Sequence, residues 1–114
     1  MLQPEALALP RQQLLVKTMS DFVTCVWSCI NSGGSPGDGL IRIHAIDLNR
    51  TLATTAPASI APGATFPFFL ENTIGAMGLT VPGVYRCRLQ MDQLRPPAPP
   101  LVVGSFRFDI SVTG

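Results

Sequence analysis

Apolar and polar residues alternate along most of this chain with a period of two. From Phe22 to Ile30, Val23, Cys25, Trp27 and Cys29 fall on one side, with Thr24 and Ser28 on the other. That is the pattern of a strand with one buried face. Leu40 to Leu48 repeats it, with Ile41, Ile43 and Ala45 opposing Arg42 and His44. Phe66, Phe68 and Leu70 alternate inward in a further strand, where Pro67 predicts an edge position because proline has no amide to give a neighbour. The clearest strand is Val84 to Gln93, setting Tyr85, Cys87, Leu89 and Met91 against Val84, Arg86, Arg88 and Gln90. A last one sets Phe106, Phe108, Ile110 and Val112 against Ser105, Arg107, Asp109 and Ser111. Leu14 to Met19 is expected as the first strand, and residues 49–64 as holding a short edge strand. No segment carries the spacing of an amphipathic helix.

Between these segments lie turn-forming residues. Asn31-Ser-Gly-Gly-Ser-Pro-Gly-Asp-Gly39 reads as a loop, as do residues 72–83, which end in Val81-Pro-Gly83. Leu94 to Pro100 is expected to be a stiff, polyproline-like loop. About seven short strands with turn signals every 8–12 residues predict an all-β fold, an antiparallel β-sandwich. The length of 114 residues suits one domain with one core. Residues 14–114 are assigned to the sandwich and residues 1–13, a Pro-flanked stretch, to an N-terminal arm or lead-in.

Val81-Pro-Gly-Val-Tyr-Arg-Cys87 resembles the start of strand F of immunoglobulin-like domains, where a turn precedes Tyr-x-Cys and the Tyr forms a corner with the upstream backbone. Ile30-Asn-Ser-Gly-Gly34, Ser59-Ile-Ala-Pro-Gly-Ala-Thr65 and Phe108-Asp-Ile-Ser-Val112 are similar to turns and a closing strand of bacterial and viral immunoglobulin-like modules of the CARDB type. The resemblance spans roughly residues 14–113 and implies structural roles for Tyr85, Cys87 and Trp27. The Trp expected on strand C is absent, and Trp27 sits on the presumed strand B. The resemblance also raises a bridge from Cys25 or Cys29 to Cys87, like that between strands B and F. Buried thiols are the alternative, favoured for an odd number of cysteines without an export signal.

Charge changes the picture. Only 13% of residues are charged, against about 25% in ordinary soluble domains. Much of the surface is therefore neutral, which favours a subunit that covers part of it with partners. The net charge of +1, without a run of Lys or Arg, argues against nucleic-acid binding. No apolar run approaches the ~20 residues of a spanning helix, and the N-terminal stretch lacks the positive segment of a signal peptide. Neither a membrane anchor nor export by that route is expected.

Catalytic patterns are missing. His44 is the only histidine, and the acidic residues are scattered without a recognisable pairing. Cys25, Cys29, His44 and Cys87 have the right types for zinc. Four residues of extended chain, however, part the first two by roughly 13 Å. No enzyme activity, cofactor, metal or small-molecule substrate is expected. The candidate partner-binding residues are of two kinds. In the immunoglobulin-like arrangement the outward Arg42, His44, Arg86, Arg88 and Arg107 converge on one sheet face, and arginine suits carboxylate partners and interfaces. Pro96, Pro97 and Pro99 offer a stiff segment that loses little entropy on docking.

Together these features are read as a non-catalytic structural or adhesion module that binds a protein partner and self-associates as a homo-oligomer. By analogy of architecture the expected setting is a bacteriophage virion, as a capsid decoration or other virion protein made in the host cytoplasm. The alternatives are an intracellular immunoglobulin-like protease inhibitor and a carbohydrate- or surface-binding module of a larger secreted protein.

Overall fold

The computed structural model describes residues 1–8 and 14–114, except the side chains of residues 5–8, 14 and 16. Nine strands and no helix occur among the described residues. They are β1 (Leu2–Ala8), β2 (Leu14–Lys17), β3 (Phe22–Asn31), β4 (Gly37–Ala45), β5 (Arg50–Thr54), β6 (Ala58–Ile60), β7 (Thr65–Thr73), β8 (Gly83–Arg95) and β9 (Ala98–Val112). A smaller sheet has the order β1-β3-β7; a larger one has the order β2-β9-β8-β4-β5, with β6 pairing the start of β4. All pairings are antiparallel except that of β2 with β9, which is parallel.

The period-two faces meet between the sheets. Val23, Cys25, Trp27, Cys29, Phe68 and Leu70 of the smaller sheet are buried with Ile41, Ile43, Ala45, Cys87, Leu89, Met91, Phe108 and Ile110 of the larger one. Removing this apolar surface from water is the main force holding the sheets together. Trp27 fits where the opposing strand has no side chain: a Cβ on Gly104 would lie 3.0 Å from the indole and 2.6 Å from Pro4. A buried Asn31 ties the end of β3 to its surroundings. Its amide donates to the carbonyls of Ser35 and Ile60, and its side-chain oxygen accepts from the Gly33 amide and the N-terminal ammonium.

Several expectations are corrected. Leu2–Ala8, placed in a lead-in arm, is a strand paired with β3, and Leu2 is buried in the core. Residues 9–13 of that arm lie outside the described residues. The loop expected over 31–39 is shorter, because β4 begins at Gly37, and residues 49–64 hold two strands, not one. The segment 72–83 is largely the expected loop, a series of turns after β7, but it contributes to the core. Ile74, Met77 and Leu79 are all buried, closing one end of the core with the backbone bonds Met77 to Thr73 and Leu79 to Ile74.

The polyproline-like loop is corrected as well. Its ends pair, since Arg95 opposes Ala98, so Pro96 and Pro97 are the tip of the β8–β9 hairpin. Arg95 donates from Nε to the Pro99 carbonyl across that tip. The bond between the two tip prolines is cis. Cross-strand pairing of flanking residues overrides the extended preference of a proline run.

Candidate protein-binding face

The larger sheet turns its even-numbered β4 and β8 positions outward, together with the odd-numbered positions of β9 from Ser105 onward, past the extra residue Val103. Register then decides which side chains become neighbours. Arg42 opposes Gln90, His44 opposes Arg88, Arg88 opposes Arg107, and Arg86 opposes Asp109. Arg42, His44, Arg86, Arg88 and Arg107 thus share one outer face. Pro96, Pro97 and Pro99 do not join them. They sit at the hairpin tip, roughly 23 Å along the strand from Arg88 at seven residues' rise.

Two of the arginines are neutralised in place. Arg42 donates from Nε to Asp92 at 2.9 Å and from a terminal nitrogen to Thr51. Asp92 also accepts from the Gln90 side-chain amide at 2.7 Å. Asp92 follows Gln90 by two positions on the same outer face, where both are covered and nearly inaccessible. Arg86 holds Asp47, in the turn between β4 and β5, through Nε, a terminal nitrogen and its own backbone amide. Those bonds hold the Asp47 carboxyl below its ordinary range.

The row between these pairs is different. His44, Arg88 and Arg107 stand side by side on three adjacent strands, and among the described residues neither Arg88 nor Arg107 forms an ion pair. Like charges directly opposed on a sheet destabilise it. Arg88 Nε and His44 Nδ1 are closed off from solvent without a hydrogen-bond partner, and an unmade buried bond costs about 1–3 kcal/mol. Burial holds the His44 imidazole below its ordinary pKa; the charges of Arg42 and Arg88 push the same way, against a hydrogen bond to Asn49. Such a row favours an anion arriving from outside.

The structural residues occupy other places. The Tyr85 hydroxyl, half-buried, donates to the Val81 carbonyl four residues upstream. Cys25 and Cys87 are free, buried thiols, and Cys29 is buried with them. Burial pushes the thiols of Cys25 and Cys87 up to about 12. Among the described residues no three His, Cys, Asp or Glu side chains are gathered to hold a metal ion. No helix among them is long and apolar enough to cross a membrane.

Solved structures align over nearly the whole chain. A CARDB domain from Pyrococcus furiosus, solved in complex with di-metal ions, is 14% identical with a TM-score of 0.56, over 99% of this chain and 88% of that one. Alpha-2-macroglobulin of E. coli is 16% identical with a TM-score of 0.53, over 98% of this chain. The E. coli chaperone DraB is 10% identical with a TM-score of 0.52, also over 98% of this chain. The fold is an immunoglobulin-like β-sandwich. The chain spans 6% of the macroglobulin and 54% of the chaperone. No family model and no curated protein matches the sequence.

Proposed function

We propose that this protein is a non-catalytic binding module that engages another protein through the outer face of its larger sheet. The observation that supports it most is the His44–Arg88–Arg107 row, two opposed arginines beside a histidine, with no ion pair to either arginine among the described residues. Of the acids nearby, Asp92 and Asp47 hold Arg42 and Arg86, and Asp109 stands opposite Arg86, an arrangement that suits a binding surface better than a proton-transfer site. The immunoglobulin-like fold agrees with such a role, though one fold hosts many functions. The setting expected from sequence, a capsid decoration or other virion protein, draws no support from the three neighbours named above. The partner is therefore described by its chemistry, an acidic protein surface.

The double substitution Arg86→Ser, Arg88→Ser tests this reading. Wild-type protein is expected to be retained on a polyglutamate matrix at low salt. The variant should elute unretained with an unchanged circular dichroism spectrum, since surface ion pairs contribute only about 0–1 kcal/mol to stability. Equal retention of the two would overturn the assignment of this face.

A further inference from the structure

We propose that His44, Arg88 and Arg107 form a seat for one carboxylate of an acidic protein segment, and that the protonation of His44 sets how tightly the seat holds. The inference rests on the outer face being the binding surface proposed above and adds to it a position, a ligand group and a control.

Position comes from register. Arg88 is the central member, opposed by His44 on β4 and by Arg107 on β9. Directly opposed residues on a sheet have Cβ atoms roughly 4.5–5.5 Å apart, a spacing at which one carboxylate reaches both guanidinium groups. The rows on either side cannot compete for the same ligand, since Arg42 is engaged by Asp92 and Thr51, and Arg86 by Asp47. Asp109, opposite Arg86, adds a negative edge that keeps an incoming acid toward the middle row. A carboxylate there relieves the repulsion between Arg88 and Arg107. It also gives Arg88, whose Nε lacks a partner, a reason to turn outward and form a charge-assisted bond.

Control comes from what surrounds His44. On its own strand lies Arg42; from β8 come Arg88 and, one row away, Arg86; from β9 comes Arg107. The β4–β5 turn supplies Asn49, and Asp47 already bound to Arg86, while β5 places neutral Thr51 opposite His44. The unneutralised charges facing the imidazole are positive, so the empty seat disfavours the imidazolium. A carboxylate in the seat reverses that balance, and binding is coupled to proton uptake. Affinity therefore rises as pH falls through the ordinary histidine range, until the ligand's own carboxylates protonate.

The chain has a single histidine, so its imidazole proton signals report His44 alone. The experiment follows those signals and the backbone amides by NMR while hexaglutamate peptide is added, at pH ~5.5 and ~7.5. The expected result is amide shifts on β4, β8 and β9, a His44 titration midpoint that moves upward with peptide, and about tenfold tighter binding at the lower pH. His44→Gln should bind with little pH dependence, and Arg107→Gln should bind weakly without altering the amide spectrum of the smaller sheet. Amide shifts on the outer face with an unmoved His44 midpoint would overturn the seat while leaving the face as the binding surface. Absence of shifts there would overturn both. An equal upward movement with inorganic phosphate at the same ionic strength would identify a simple anion site and overturn the assignment to an acidic protein segment.

Discussion

Cys25 and Cys87 carry the chemistry of thiols into a place where they act as small hydrophobes. Burial pushes both from 9.0 to about 12, with Asp109 and Asp47 adding to the shift at Cys87. Unfolded thiols begin to ionise near pH 9.0, whereas the folded ones hold their protons to about 12. The folded state then binds more protons than the unfolded one across that window, so stability falls as pH rises through it and is unaffected by these groups below it. Urea midpoints measured at successive pH values should decline between those limits. The decline should be shallower in a Cys25→Ala, Cys87→Ala variant, whose overall stability is lower because two small cavities are opened. That these residues are buried was legible from their place on apolar faces. The role of Asn31 was not, because its partners Ser35, Ile60, Gly33 and the N-terminus come together only once β3, β4 and β6 are in place.

Among the elements, β3, β4, β8 and the second half of β9 were readable because each sets large apolar residues against charged or hydroxyl ones. Where that contrast is weak the elements were missed or only partly read. β5 and β6 consist mostly of Thr, Ala and Ser, β1 contains Pro4, and Ile74, Met77 and Leu79 follow no period because a series of turns, not a strand, brings them inward. The start of β9 was hidden by its prolines. Pro67, by contrast, was informative. It opposes Ser28 on β3 within a strand that has no paired neighbour on its other side among the described residues. Its nitrogen costs no ladder bond only if it faces that open edge, where Phe69 is also exposed. A missing amide there blunts pairing with another chain. Pro67→Thr should leave the circular dichroism spectrum unchanged yet produce dimers and larger species in sedimentation velocity runs. A purely monomeric variant would show that the edge is guarded by something else.

At the scale of the whole molecule, a net charge of +1 conceals an uneven distribution. Four of the eight basic residues stand with His44 on one face; Arg50 and Arg95 are tied to backbone carbonyls elsewhere. Membership of that face followed from strand parity and an immunoglobulin-like strand order. The distinction between occupied and vacant arginines did not. Asp92 lies 50 residues from Arg42 and Asp47 lies 39 from Arg86, so only register pairs them. The vacant pair, Arg88 opposite Arg107, has a thermal consequence. Opposed like charges on a sheet cost about 0.5 kcal/mol, and a chain of this size answers that much with about 3 °C in melting temperature. Arg107→Gln should thus melt higher than the wild type in a thermal scan and, under the proposed function, bind hexaglutamate more weakly. Selection for heat resistance alone would erase this residue; under the proposed function its repulsion is held in reserve, to be relieved when an acidic segment docks.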